Sequence, residues 1–365
     1  MPPGFNPLAD LPRLVKEEGL QAEVLLCPGD LCDQADWDAL GYAWTNLCEF
    51  AEMLGAEHVI ATVGNHDIDS HSLHPDRDID FGPRQLSPDF PCSPRGETND
   101  YWESRISHAR GEDWQAIALN SSLMRRLEEE ERDHGEVHEE TLEAIRAVAT
   151  EASVPVNVLL CHHHPQPFTR HTPGDASHMA SGDRLVKLLN DLPGGWMIVH
   201  GHKHYPHLDY LDGTGAAPAR LVAGSTGINL WPLLSSYFSN QLHVIEFDVS
   251  RCSELDLTMA GQVRSWSWRP LASWYPARAA GDGLPGVAGF GFRFDGPAVA
   301  RQLVRMARDR GLEVLERPDL EAWEPRLRYL LPQDFEDFQT FLEETLGCHV
   351  SLDRRGNVDR VVLPD

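Results

Sequence analysis

Short apolar runs alternate with stretches of helical period from about residue 8 to residue 260. The run "AEVLLCPGD" (22–30) predicts a strand, "DWDALGYAWTNLCEFAEMLG" (36–55) predicts a helix, and "HVIATVGNHD" (58–67) predicts the next strand. Further strands are predicted at 114–122, 156–165, 196–204, 219–226 and 242–249, and further helices at 139–152 and 182–192. This order of elements is typical of β-α-β units and predicts an α/β fold.

The formal net charge of -26, from 57 acidic against 31 basic residues, narrows the range of partners. A surface of that sign repels polyphosphate backbones, so duplex nucleic acid is not an expected partner. A small anionic substrate stays open, because bound cations can invert the field inside a cleft. The sequence has no apolar run of about 20 residues and no leader pattern, which predicts a cytoplasmic protein without a membrane anchor.

At 365 residues the chain exceeds one average domain. A Gly-rich stretch, "AAGDGLPGVAGFG", starts at Ala279, and helices at 297–310 and 333–346 and a hairpin turned at Gly356-Asn357 are predicted after it. The predicted domain limits are therefore 1–260 for the first domain, 261–284 for a linker and 285–365 for a small α+β domain. A protein partner, or self-association through this small domain, is left open.

Two stretches do not fit the strand and helix pattern. Residues 68–100 hold five prolines and many polar residues, including His71 and His74, which indicates a functional loop or a disordered insert. A tryptophan cluster, "WSWRPLASW" (266–274), is predicted to serve packing rather than base stacking.

Four polar clusters follow predicted strands. They are Gly29-Asp30 with Asp33, Gly64-Asn65-His66-Asp67, "HHHP" at 162–165 and "GHKH" at 201–204. Ligands of open α/β sheets bind beyond the carboxyl ends of the strands, so these clusters are expected to converge. Carboxylate, amide and imidazole donors suit manganese, iron, zinc or nickel. Asp30 could bridge two such cations with its two oxygens, and His202 and His204 could each reach a different one.

The order G-D-x-x-D, G-N-H-D, H-x-P and G-H-x-H over roughly residues 8 to 260 resembles the calcineurin-like metallophosphoesterase superfamily. The resemblance implies a two-sheet α/β sandwich flanked by helices, here with the small C-terminal appendage. It also implies a centre of two divalent metal ions that hydrolyses phosphomonoesters or phosphodiesters.

The site residues follow from the resemblance position by position. Asp30 resembles the bridging carboxylate. The residues that resemble ligands of one ion are Asn65, His163 and His202, and His204 resembles a ligand of the other. His66 resembles the histidine that stabilises the transferred phosphoryl group or protonates the leaving oxygen, with Asp67 orienting it.

Several neighbouring residues leave alternatives open. The H-x-P spacing selects His163, with His162 as the alternative ligand and His164 as a residue facing substrate. Asp33 is expected to orient the Asp30 loop. Other histidines are expected at the surface: His134 and His138, with His171 and His178 either there or near substrate.

One family motif, Asp-x-His on the opening strand, is missing. "NPLADLPRLVKEEGLQ" (6–21) predicts the helix that normally follows that strand. Either the motif lies upstream of Met1, which the rest of the ligand set favours, or the chain is a degenerate member. The expected activity is manganese-dependent hydrolysis of a phosphoester, with a diester favoured; the alternatives are a catalytically impaired scaffold protein and a nuclease.

Overall fold

The computed structural model describes residues 6–93, 98–122, 133–151, 153–167, 177–211, 218–226, 240–278, 283–353 and 356–364. The helices are α1 (Pro7–Glu18), α2 (Trp37–Leu54), α3 (Phe81–Arg84), α4 (Thr98–Ser104), α5 (Glu139–Thr150), α6 (Gly182–Asp191), α7 (Val249–Leu255), α8 (Gly296–Asp309), α9 (Arg317–Trp323) and α10 (Pro332–Thr340). A 3-10 helix (Pro325–Tyr329) precedes α10, and a π-helical turn (Phe341–Thr345) follows it.

The strands are β1 (Val24–Cys27), β2 (His58–Ala61), β3 (Cys92–Ser93), β4 (Ile106–Arg110), β5 (Trp114–Leu119), β6 (Val156–Cys161), β7 (Trp196–His200), β8 (His207–Tyr210), β9 (Ala219–Val222), β10 (Asn240–Phe247), β11 (Gly261–Arg269), β12 (Ser273–Pro276), β13 (Val287–Phe290), β14 (Val314–Glu316), β15 (His349–Leu352) and β16 (Val358–Val362).

The chain divides into two compact units. The first comprises Met1–Tyr205, Tyr210–Asn240 and Trp268–Trp274, and the second comprises Pro206–Asp209, Gln241–Ser267 and Tyr275–Asp365.

Two sheets organise the first unit. In one, β1 pairs in parallel with β2, and β3 adds to β2 in antiparallel orientation. In the other, β4, β5, β6, β7 and β9 are neighbours in that order, and all but β4 run parallel. Every residue of β6 and β7 is buried, as expected for central strands of a parallel sheet covered by helices. The carboxyl ends of these parallel strands therefore share one edge.

The helices of the first unit begin and end where the sequence supplies caps. Asp36 caps α2 by accepting from Ala39 N at 3.0 Å, and Gly55 ends it in the left-handed conformation. The predicted helix at the start of the chain is α1. Two tryptophans bind it: Trp268 Nε1 donates to Asp10 Oδ2 at 2.8 Å, and Trp274 Nε1 donates to Pro7 O at 3.0 Å.

The second unit has the α+β composition predicted from the sequence. Helices α8 and α10 bury Val299, Leu303 and Phe338 in a core with the sheet β14-β16-β15. The hairpin of β15 and β16 turns at Gly356, which has a φ of +90° that favours glycine. The predicted fold class, an α/β two-sheet fold flanked by helices with a small α+β appendage, is confirmed.

Part of the range predicted as a linker is ordered differently from the expectation. Residues 261–269 and 273–276 form β11 and β12, and β11 pairs with β13. The residues of β11 are almost all buried. The domain limits themselves stay a prediction. Among the helices of the described ranges, none is long and apolar enough to cross a membrane.

Candidate metal centre

The loops after β1, β2, β6 and β7 carry the four polar clusters. Three of the predicted ligands have left-handed backbone: φ is +57° at Asp30, +68° at His202 and +55° at His204. Such a conformation is costly for residues other than glycine and persists only where the surrounding structure imposes it, as it often does at functional sites.

Two glycines let the loops after β1 and β2 touch. A Cβ on Gly64 would lie 2.0 Å from Asp30 Oδ1, and a Cβ on Gly29 would lie 2.5 Å from Gly64 N. The glycines of G-D and G-N-H-D are therefore required by the approach of one loop to the other, which brings Asp30 beside Asn65 and His66.

Asp67 ties the same two loops together. It is fully buried, and its carboxylate accepts hydrogen bonds from four backbone N–H groups: Gly64 (2.8 Å), Asp30 (2.8 Å), Leu31 (2.6 Å) and Cys32 (3.2 Å). Burial, followed by the charge of Asp30, raises the pKa of Asp67 to about 6. Asp67 thus holds the Asp30 loop, which is the role that the sequence suggested for Asp33.

The carboxylate beside His66 is Asp33. His66 Nδ1 lies 2.8 Å from Asp33 Oδ1, and its backbone N–H donates to Asp30 Oδ1 at 3.1 Å. The expected orienting contact from Asp67 is replaced by this one, because Asp67 turns into the interior while the His66 ring stays 35% exposed. The imidazole is fixed through Nδ1, which leaves Nε2 for a ligand.

Three histidines, of which His162 and His163 are buried and His202 is half-buried, form a cluster at the ends of β6 and β7. The candidate ligand atoms of His162, His163 and His202 all lie within 4.8 Å of one another. His162 Nε2 lies 3.1 Å from Asn65 Oδ1 and 3.2 Å from Asp30 Oδ2, so the alternative ligand is the imidazole that meets both oxygens. His204 is not a member of this cluster.

The contacts of His162 test whether a cation fits here. Its Nδ1 lies 2.7 Å from the carbonyl oxygen of Pro28 and must donate a proton to it. A neutral His162 then points the lone pair of Nε2 at the oxygens of Asn65 and Asp30. Three acceptors within hydrogen-bond distance need a cation or a second proton between them.

His163 gives an independent indication of a ligand. Its Nδ1 pairs with Ser121 Oγ at 3.0 Å, while its Nε2 is buried and has no hydrogen-bond partner in the described part of the chain. A Cβ on Gly135 would lie 2.5 Å from the His163 ring, so the ring is closely packed from behind. Buried imidazole nitrogens without partners are rare, and a metal bond would satisfy this one.

Burial and charge set the protonation of these groups in the absence of a cation. Burial opposes the charged forms of Asp30 and His162, but their mutual attraction outweighs it, lowering the pKa of Asp30 and raising that of His162. Burial first, and neighbouring histidines second, hold the pKa of His163 and of His202 well below the usual value. Neutral imidazoles are the form that binds metal, and the lowered pKa values of His163 and His202 favour that form.

The remaining predicted residues surround this cluster. Burial lowers the pKa of His204, which also senses the charges of Asp30 and His66. The rings of His164 and His202 are 6.0 Å apart, and those of His164 and His178 are 6.4 Å apart. His138 is exposed and pairs with Glu136, His134 is half-buried, and His171 lies outside the described residues.

The sequence analysis missed Ser121, which belongs to none of the four polar clusters. It follows β5 in "ALNSS", and its Oγ accepts from His163 N at 3.1 Å besides pairing with His163 Nδ1. The signal that could have identified Ser121 is a polar run directly after a buried strand, which is the same signal that identified the four clusters.

The fold of this chain, and the ligand atoms at the carboxyl edge of its parallel strands, are those of an α/β protein that could hold a metal ion at that edge. Residues 4–206 match the family model for calcineurin-like phosphoesterases. The match covers more than half of the chain, and the chain belongs to this family. Residues 288–344 match a second family model, described as wHTH-Calcineurin_assc. No curated protein was found to match the sequence.

Several solved structures resemble the fold at low sequence identity. A dimetal phosphatase from Danio rerio is 13% identical, with 60% of this chain and 77% of that chain covered and a TM-score of 0.41. PhoD is 9% identical, with 77% and 71% covered and a TM-score of 0.41. A putative 5'-nucleotidase from Staphylococcus aureus is 12% identical, with 97% and 64% covered and a TM-score of 0.34.

Proposed function

We propose that this protein hydrolyses phosphodiesters at a centre of two divalent metal ions. The observation that supports this most directly is the meeting of His162 Nε2 with Asn65 Oδ1 at 3.1 Å and Asp30 Oδ2 at 3.2 Å. Family membership supports phosphoester hydrolysis in general. Manganese, the diester preference and a cytoplasmic location are parts of the proposal.

The first ion would be held by Asn65, Asp30, His202 and the histidines of "HHHP". His162 faces the two oxygens, and His163 offers its unpartnered Nε2. Asp30 and His204 are the ligands proposed for the second ion. When bound, such a pair of ions supplies hydroxide at neutral pH and neutralises charge on phosphate oxygens.

His66 is the proposed general acid. Because Nδ1 lies 2.8 Å from Asp33 Oδ1, Nε2 is the nitrogen that would carry the transferable proton. The contact with Asp33 would keep the ring oriented, with Nε2 directed at the leaving oxygen. Asp67 is proposed to act on the reaction indirectly, because its carboxylate accepts from the backbone N–H groups of Asp30 and Leu31 and so holds Asp30 in place.

The test is manganese-dependent hydrolysis of bis(4-nitrophenyl) phosphate by the purified chain and by Asn65→Ala. The variant removes one ligand, and we expect turnover to fall at least a hundredfold. His138→Ala is the matched control, because His138 is an exposed histidine whose ring pairs with Glu136. Undiminished turnover in Asn65→Ala would refute the assignment.

A catalytically impaired binding protein is the second candidate, because residues 1–29 contain no Asp-x-His motif. The second ion would then have Asp30 and His204 alone, too few protein ligands for a tight site. Metal content separates the candidates: two ions per chain support the enzyme, and none supports the scaffold. The net charge of -26 weighs against a nuclease. A protein partner or self-association through the C-terminal domain stays a prediction.

A further inference from the structure

The first part of the insert after Asp67, residues 68–84, is firmly attached to the site. Ile68, Asp69 and Ser70 are buried, with at most 1% of each exposed. Ser70 Oγ donates to the carbonyl oxygen of Asn65 at 3.1 Å, and Asp69 N donates to Ile79 O at 2.9 Å. The insert is thus a closed loop that starts against a proposed metal ligand.

The Asp69 side chain fixes the shape of the loop. Its carboxylate accepts from Leu73 N at 2.7 Å and from His74 N at 2.9 Å, and Ser72 has a φ of +56°. Bonds of an Asp side chain to backbone N–H groups a few residues on hold a turn in one conformation. His71 lies inside this turn, so its position is defined by the fold.

A second attachment lies on the other side of His66. The His74 ring stacks on Trp37 with ring centroids 3.8 Å apart, and His74 Nε2 lies 3.3 Å from Ala35 O. Gly82 packs against the same indole, where a Cβ would lie 2.2 Å from Trp37 Nε1. The loop is therefore fastened both to Asn65 and to the segment that follows Asp33.

These attachments place the half-buried His71 ring 6.3 Å from the His66 ring, with 37° between the planes. Rings whose centroids are this far apart are not stacked, and nitrogens on their facing edges are about 4 Å or more apart. One oxygen can accept a hydrogen bond of about 2.9 Å from each of two nitrogens at such a spacing. We infer that His71 is a further substrate-contacting residue, donating a second hydrogen bond to the leaving-group oxygen of a phosphodiester.

The inference rests on the proposed function and adds a role to its final step. Water oxygen forms the new bond to phosphorus and gives up a proton to solvent, the bond to the leaving oxygen breaks, and His66 transfers its proton to that oxygen. His71 keeps its own proton and stabilises the negative charge that builds on the oxygen. This charge is larger for an alkoxide or a basic phenolate than for a nitrophenolate, so His71 should favour diesters with poor leaving groups.

The experiment compares two diesters that differ in leaving group, bis(4-nitrophenyl) phosphate and diphenyl phosphate, with manganese present. For His71→Ala we expect kcat/KM to fall on the order of a hundredfold with diphenyl phosphate and on the order of tenfold with the nitrophenyl diester. His71→Gln retains an N–H donor and should recover part of the difference. His74→Phe keeps the stack on Trp37 and should leave the ratio of the two kcat/KM values unchanged.

The outcomes separate this inference from the proposed function. Equal losses of kcat/KM for the two diesters in His71→Ala would overturn the role of His71 while leaving phosphodiester hydrolysis in place, since a merely structural role would not change the ratio. Failure of the unchanged protein to hydrolyse either diester with two manganese ions bound would overturn the proposed function and the role of His71 together. The inference is supported if His71→Ala lowers the ratio of kcat/KM for diphenyl phosphate to kcat/KM for the nitrophenyl diester and His71→Gln restores that ratio.

Discussion

Replacing Gly64 by alanine tests the idea that glycine is needed for the loops after β1 and β2 to meet. The added Cβ would lie 2.0 Å from Asp30 Oδ1 and 2.6 Å from Asp30 N, where ordinary contact starts at 3.4 Å. Asp30 Oδ1 would have to move by about 1.4 Å, and the backbone nitrogen cannot rotate away as a side chain can. We expect a loss of about 1 to 3 kcal/mol in the free energy of unfolding.

The effect on turnover should exceed the effect on stability. Misplacing a catalytic group by about 1 Å can cost about a hundredfold in rate, and Asp30 is the proposed bridge between the two ions. The assays are urea unfolding and manganese-dependent hydrolysis of bis(4-nitrophenyl) phosphate. We expect Gly64→Ala to fold, to unfold at lower urea, and to lose at least a hundredfold in kcat.

Gly41→Ala is the matched control. Gly41 lies inside α2, where a Cβ would meet nothing within 4 Å. Alanine is the better helix former, so the control should be up to about 1 kcal/mol more stable and equally active. The reasoning about the loops is wrong if Gly64→Ala keeps full turnover and unfolds at the same urea concentration as the unchanged protein.

Three further predictions concern charge and metal. Asp33→Asn should lower kcat at least tenfold while changing the free energy of unfolding by less than about 0.5 kcal/mol, because Asp33 is 45% exposed; a large loss of stability in urea would contradict this. Manganese at a hundred times its Kd should raise the free energy of unfolding by about 2.7 kcal/mol, and EDTA should remove the gain; thermal shifts that are insensitive to manganese would argue against the site. Burial lowers the pKa of His243 to about 4, so the unfolded protein binds more protons than the folded protein between about pH 6.5 and 4. The free energy of unfolding should therefore fall by up to about 3 kcal/mol as the pH falls through that window. His243→Gln should flatten this part of the pH profile measured by urea unfolding, and an unchanged profile would contradict the prediction.

Local pattern was enough for most elements of the fold. The predicted strands at 156–165 and 196–204 are β6 and β7, and the predicted helices at 297–310 and 333–346 begin within one residue of α8 and α10. Short apolar runs and helical periods persist over whole elements and need no knowledge of distant residues. β4 was missed because it is an antiparallel strand at the sheet edge, "ISHAR", with little apolar character.

The site could be predicted to the level of the loops but not of the individual atoms. Position after a strand selected Asp30, Asn65 and His202. Whether His162 or His163 meets Asn65 depends on how β6 ends relative to β2, and the two residues in contact are 97 positions apart. No local pattern carries that information.

The exchange of roles between Asp33 and Asp67 has the same origin. Both are single carboxylates next to named motifs, so the sequence treats them alike. In the fold, Asp67 is enclosed by the backbone N–H groups of Asp30 and Leu31, whereas Asp33 stays near solvent beside His66. Burial distinguishes the carboxylate that binds backbone N–H groups from the one that contacts the His66 ring, and burial follows from the packing of the two loops.

The contacts that hold the proposed ligands of the first ion do not involve the missing motif. Asp30 is placed by Asp67 and by the glycine contact, and His162 is placed by its 2.7 Å bond to Pro28 O. The first ion should therefore bind tightly to this chain as it stands, while the second, with Asp30 and His204 alone, should bind more weakly. Manganese titration is expected to show two classes of affinity, and turnover should follow occupancy of the weaker class because the proposed mechanism uses both ions to hold the phosphate.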